Sequence, residues 1–223
     1  MERIIRVTGK GSISLEPDVI KIYVTLKDSR INYEETILQS AKQTELLRDS
    51  LLKIGFDKED LKTLSFKVDT KYESYQDEDK EWKRQFEGYE FTHKLILGFK
   101  ADSQRLGKTL YALSQCTVSP EISIVYAVGN VEAAKRKMLE TAVADSKIKA
   151  SLLARAAGVE LGEIISIDYS WNEIKFEKSV MDKFISIPKF LRTPSDSNEA
   201  YNMDIVPDNI ERSDTVTVIW SIK

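Results

Sequence analysis

NVEAAKRKMLETAVADSKIKASLLARAAG, residues 130–158, decides how this chain folds. Asn130 is a good N-cap, Glu132 lies where the positive end of the helix dipole favours an acid, and Gly158 can supply the left-handed residue that ends a helix. One long helix is predicted over about 131–157. Ala134, Met138, Ala142, Ser146, Ala150 and Ala154 recur every fourth residue and line up on one side, with Leu139, Leu153 and Ala157 widening the stripe. A stripe of such small residues lets a helix backbone lie close against a sheet. Lys135, Arg136, Glu140, Lys147 and Arg155 fall on the opposite side and read as an ordinary solvated face.

The segments around this helix carry the two-residue period of strands. Residues 163–171 alternate through Ile165, Ile167 and Tyr169, and 212–222 through Val216, Val218, Trp220 and Ile222. At the other end of the chain, 3–8 and 19–26 alternate in the same way. The GKGSISLEPD between them is read as a bulge or bend at Gly9 and Gly11 and a turn at Pro17 and Asp18. This GxG pair precedes no helix, so it lacks the helix-end amides that would cradle a phosphate.

Asn32 and Glu35 suggest a capping box for a helix running to Ile54, with Tyr33, Ile37, Ala41, Leu47, Leu51 and Ile54 on its inner face and Gly55 at its end. Strands over 63–74 and 89–101 form a long hairpin around the charge-dense insertion 75–88. Ser103 caps a short helix with Leu106, Leu110 and Leu113 inward, closed by Cys116, and 121–128 returns as a strand. A second insertion, 172–209, holds Pro188, Pro194 and Pro207 and reads as irregular, although VMDKFISIPKFL within it is apolar. The order β-β-α-β-β-α-β-α-β-β predicts an α+β fold, a mostly antiparallel sheet covered by helices. No clear linker divides 1–223, which is expected to be a single domain with two subregions, about 1–101 and 102–223.

Composition bounds the function. At 42% hydrophobic and 31% charged the 223 residues are globular, with no apolar run of the length a membrane span requires. The start MERIIRVTGKG lacks the regions of a secretory signal, so the chain as written is expected in the cytoplasm, and outside it if residues have been trimmed from the start. One cysteine and one histidine leave no disulfide framework and no Cys/His zinc site, and a net charge of −3 gives no overall field for nucleic acid. Lys67, Lys71, Tyr72 and Tyr75 are the nearest approach to a nucleic-acid surface, but lysines on an exposed strand also guard against edge-to-edge aggregation.

Catalytic constellations are missing from the pattern. His93 shares a strand face with Phe91, Leu95 and Leu97, which is the setting of a satisfied core histidine rather than a base. Paired acids at 34–35, 59–60 and 77–79 stand at helix starts or in the charged insertion, where capping and solvation account for them. No catalytic, cofactor-binding or metal residue is assigned and no cofactor is expected. The residues that stand out are apolar ones in polar surroundings: Trp82 and Phe86 in the first insertion, and Phe184, Ile185, Ile187, Phe190 and Leu191 in the second. They are the candidate interface.

Four segments together resemble the SIMPL-domain family, long carried as a domain of unknown function. IRVTGKGSISLEPDVIKIYVTL is similar to its V-x-G-x-G strand with the following P-D and second strand; GFDKEDLKTLSFKVDTKY is similar to its G-hydrophobic-x-x-x-D segment. AVADSKIKASLLARAAGVELGEIISI resembles its A-x-x-D-A-x-x-K-A helix, with Ser146 in place of an alanine, and DTVTVIWSI its closing strand. The resemblance implies an α+β protein that self-associates, in some members into ring-like or channel-like assemblies, with stress-related relatives and no accepted catalytic residues. The expected function is therefore non-enzymatic: homo-oligomerisation and binding of a protein partner, with no nucleic acid. The alternatives are an enzyme whose acids and bases meet only in three dimensions, and a weak nucleic-acid or membrane-surface binder.

Overall fold

A computed structural model describes residues 3–170, 174–184 and 205–223. Its strands are β1 (Ile4–Leu15), β2 (Val19–Arg30), β3 (Leu61–Gln76), β4 (Trp82–Lys100), β5 (Glu121–Ala127), β6 (Leu161–Asp168), β7 (Glu177–Phe184) and β8 (Ile210–Ile222); its helices are α1 (Tyr33–Leu52), α2 (Ser103–Gln115) and α3 (Val131–Ala156). The fold is α+β, with antiparallel pairing in two sheets. Two compact units are present, one of residues 1–18, 127–178 and 208–223, the other of 19–126 and 179–207. Strand β7 lies inside the segment that reads as irregular, and β3 and β4 extend through most of the first insertion, leaving only 77–81 outside strands. Alternation is masked in β7 by the paired charges Glu177–Lys178 and Asp182–Lys183, and in the hairpin of β3 and β4 by the charge-dense run 77–87.

The first unit is the sheet β1-β8-β6 with α3 on one face. The predicted stripe is the buried one: Ala134, Met138, Ala142, Ser146, Ala150 and Ala154 all lose their solvent exposure. Asn130 accepts from the Ala133 amide at 3.0 Å and Gly158 takes φ +68°, so both ends form as expected. Leu153 and Ala157 do not widen the stripe, since both are exposed. In the last turns of α3, only the fourth-residue row faces the sheet.

Gly9 and Gly11 correct the expectation of a bend. β1 pairs with β8 without interruption from Ile4 to Leu15, and the glycines sit in the middle of it. A Cβ on Gly9 would stand 2.0 Å from the Ala142 carbonyl oxygen, and one on Gly11 1.9 Å from that of Met138. The two glycines and the stripe are halves of one contact, in which the backbone of β1 meets that of α3 because the strand carries no side chain there and the helix mostly small ones.

The second unit is the sheet β3-β4-β2-β5-β7 with α1 and α2 against it. Ile20, Ile22, Val24 and Leu26 of β2 meet Phe91, Leu95 and Leu97 of β4, Leu47 and Leu51 of α1, and Leu106 and Leu113 of α2. Each of these large side chains contributes about 1.5–3 kcal/mol by leaving water. The helix α1 differs from its reading in two ways. Its inner face is Thr36, Ser40, Thr44, Leu47 and Leu51, while Tyr33, Ile37 and Ala41 are exposed. The hydroxyls bury without penalty because Thr36 donates to Asn32 O and Thr44 to Ser40 O, both at 2.8 Å. Nor does a capping box form, because the Asn32 amide donates to the Glu35 carboxylate instead of either side chain reaching a backbone amide. At α2 the cap is Asp102, which accepts from Arg105 N at 2.9 Å, with Ser103 one position inside. Leu106, Leu113 and Cys116 are buried there as expected.

Candidate interaction surface

The hairpin of β3 and β4 carries the exposed aromatics. From Ser65 to Lys71 its register is regular, and at Tyr72 it slips by one residue on β4, so that Tyr72 faces Phe86 and Gln76 faces Trp82. The slip leaves Tyr75, opposite Lys83, on one face of the ribbon and keeps Phe66 and Tyr72 of β3 on the other with Phe91, Tyr89, Phe86 and Trp82 of β4. Along that face Phe66 stacks against Phe91 at 6.4 Å, Tyr89 meets Phe86 edge-on at 5.4 Å, and Phe86 meets Tyr72 at 5.8 Å. Tyr33, the first residue of α1, closes on Tyr89 at 5.4 Å. Farther out, the Arg84 guanidinium lies 5.0 Å over the Tyr72 ring. Near the root of the hairpin Phe91 is fully buried, whereas Tyr72, Phe86 and above all Trp82, 72% exposed, have no such cover.

The tip is ordered by one carboxylate. Asp77 Oδ1 accepts from the amides of Asp79 and Glu81, and Oδ2 pairs with Lys83 at 2.5 Å. The Lys83 contact and these amides hold the Asp77 carboxyl below its usual range. Lys80 takes φ 61° to turn the chain back. Those acids are thus turn-making, as capping and solvation predicted for paired carboxylates.

His93 sits at the hairpin's root, half-buried, as its strand parity predicted. Its Nδ1 is 3.2 Å from Thr44 Oγ1 and 3.4 Å from Ser40 Oγ, and its Nε2 is 2.9 Å from Thr63 Oγ1. Burial, and then the Arg48 charge, lower its pKa. A neutral ring held by three hydroxyls ties β4 to α1 and to β3.

Of the candidate interface residues, Trp82 and Phe86 share this face. Phe184 ends β7, and Ile185, Ile187, Phe190 and Leu191 lie outside the described residues. Lys67 and Lys71 project from the face opposite Tyr72, and Tyr75 shares their face, so that group is divided between the two sides of β3. Among the described residues no three of His, Cys, Asp and Glu gather closely enough to hold a metal, and no helix is long and apolar enough to cross a membrane.

Two polar features of the first unit escaped the sequence reading. Asp145, on α3, accepts from the Lys10 amide at 2.7 Å and pairs with Lys149 at 2.7 Å, while Lys149 also reaches Thr8 O at 3.3 Å. Two outward-pointing backbone groups of edge strand β1 are thereby satisfied by the helix. Beneath the helix, buried Asp214 lies opposite Gly11 and accepts from the Tyr169 hydroxyl at 2.7 Å; burial and then that carboxylate push the Tyr169 hydroxyl up to about 12. Asp214 stands at the inward parity of Val216, Val218 and Trp220, a signal present in the sequence.

A family model described as SIMPL, "Protein of unknown function (DUF541)", matches residues 5–220, and the chain belongs to that family. No curated protein matches the chain.

Proposed function

As a member of the SIMPL family, the protein, we propose, works without catalysing a reaction, by assembling with copies of itself and offering the assembly to a protein partner. The observation that carries this reading is the hairpin β3–β4, whose outer half presents Tyr72, Phe86 and Trp82 to solvent on an ordered, hydrogen-bonded ribbon. Aromatic anchors on a rigid element are the usual core of a protein interface, because they bury much area while losing little side-chain entropy. Hydrogen bonds at the Asp77 turn and at His93 brace the ribbon at its tip and its root. We take stress physiology as the setting on the strength of the family resemblance.

Light scattering coupled to size exclusion tests the reading. The expected result is a concentration-dependent mass above that of one chain, reduced when Trp82 and Phe86 are both changed to serine. A single-chain mass throughout the micromolar range overturns it.

A further inference from the structure

β3 is the terminal strand of its five-stranded sheet, and its second edge pairs with no described strand. One bulge falls early in it, between Thr63 and Ser65, and the later slip at Tyr72 takes its extra residue from β4. From Ser65 to Gln76 the free edge is therefore regular. An edge of this length is normally blunted by a proline, an inward charge or a twist-inducing bulge, and this run has none of them.

Its charges have an order. On the face away from Tyr72 and Phe86 stand Lys67, Asp69, Lys71 and Glu73, alternating in sign; Lys71 is half-buried and the other three are exposed. Such a row is complementary to itself when reversed. With Thr70 opposite Thr70 of a second copy, Lys67 faces Glu73 and Asp69 faces Lys71, and each pair occurs twice about the axis. Sliding the register by one step to either side sets Lys67 against Lys71 and Asp69 against itself, or Asp69 against Glu73 and Lys71 against itself. Those registers are repelled. Lysines on an edge usually prevent pairing; alternated with acids they admit one pairing and reject its neighbours.

The other face agrees with the same register. There Val68 meets Tyr72 of the second copy, and Phe66 meets Ser74, so the aromatic row continues across the axis. Asp69 has a further reason to gain a neighbour, since within its own sheet it stands directly opposite Glu90. Its present ion pair runs along the strand to Lys67 at 2.8 Å, and Lys71 pairs with Glu87 at 3.0 Å. Exposed pairs of this kind hold weakly and exchange readily.

We propose that β3 pairs antiparallel with β3 of a second copy about a two-fold axis through Thr70, joining two five-stranded sheets into one. The proposal rests on the assembly reading and names its first contact. An isologous contact closes on itself, so it yields a dimer that other surfaces can extend.

Sedimentation velocity on the full chain tests it with two charge-reversed variants, K67E/K71E and D69K/E73K, each checked for native far-UV circular dichroism. Each variant alone should dimerise about a hundredfold more weakly than the unaltered chain, because four opposite-charge pairs become like-charge pairs. An equimolar mixture of the two should recover the dimer. If the unaltered chain stays monomeric, the assembly reading and this contact both fall. If it associates and each variant associates equally well, the contact falls and assembly proceeds through another surface. Two folded, monomeric variants whose mixture stays monomeric overturn the register. Should either variant fail to fold, Thr70→Cys decides instead: mild oxidation should give a covalent dimer, Ser65→Cys should not, and the absence of the Thr70→Cys dimer overturns the proposal.

Discussion

Two edge strands in this molecule meet the same problem in opposite ways. β1 is covered by α3, whose Asp145 binds the Lys10 amide and whose Lys149 reaches the Thr8 carbonyl. Among the described residues β3 has no such cover, and it carries alternating charges in its place. The difference comes from the side chains at each edge. Gly9 and Gly11 let the helix backbone come within reach of β1, and a strand without glycines, such as β3 from Leu61 to Gln76, keeps any helix at side-chain distance. One edge is sealed by its own unit, and the other is left selective toward an outside strand.

The widest expected break in the contrast is at Gly11. Valine there would place Cβ 1.9 Å from the Met138 carbonyl, and we expect a loss of about 3 kcal/mol or more in urea unfolding. Native stability in Gly11→Val would mean that α3 does not press on β1. Beneath the same helix, Tyr169→Phe removes the donor to Asp214 and should cost about 1–2 kcal/mol by the same measurement.

Asp145→Ala should cost less than either, and only above the acid range. The carboxyl's pKa is lowered first by Lys149 and then by the Lys10 amide, so its contribution is present above the unfolded carboxylate value and disappears as pH falls through the lowered folded one. Unfolding curves at a series of pH values should therefore converge for Asp145→Ala and the unaltered chain in acid; parallel curves would remove Asp145 from the seal.

His93 runs in the other sense. Its folded pKa lies below the unfolded value of about 6.5, so the unfolded chain takes up the proton more readily, and stability should decline as pH falls through that value. His93→Gln should flatten this slope, and an unchanged slope would assign it to other groups. The smallest effect is expected at Trp82, where alanine should move the stability of the single chain by no more than about 0.5 kcal/mol. A larger loss in thermal melts would show that the outer hairpin is held by Trp82 and is not a ribbon waiting for a partner.

Much of this fold was legible in the residues. The α3 stripe was read at every position from Ala134 to Ala154 because small side chains at a fixed spacing have few other uses. α1 was misread because Thr36, Ser40 and Thr44 count as polar in any periodicity, although Thr36 and Thr44 satisfy their hydroxyls on carbonyls one turn back and Ser40 meets His93, so that all three bury. β7 and the outer hairpin were missed for a related reason: Glu177 to Asp182 and Tyr75 to Gly88 place charges so densely that the alternation beneath them disappears. At the candidate surface, Trp82 and Phe86 stood out as aromatics among charges, but that they share a face with Tyr72 depends on a one-residue slip in β4 beside Gly88, φ +142°; the glycine marks a place for a bulge without saying that one residue is gained there.

By itself the sequence determined the α+β class, the long helix with both its ends, the inward parity of the closing strand and the satisfied, partly buried setting of His93, because each follows from spacing within one element. Only the tertiary structure decided why Gly9 and Gly11 are glycines, which edge is sealed and which is open, and what Asp145 binds. Those depend on the approach of segments more than a hundred residues apart in the chain, as Lys10 and Asp145 are, and no local period encodes a distance between two elements.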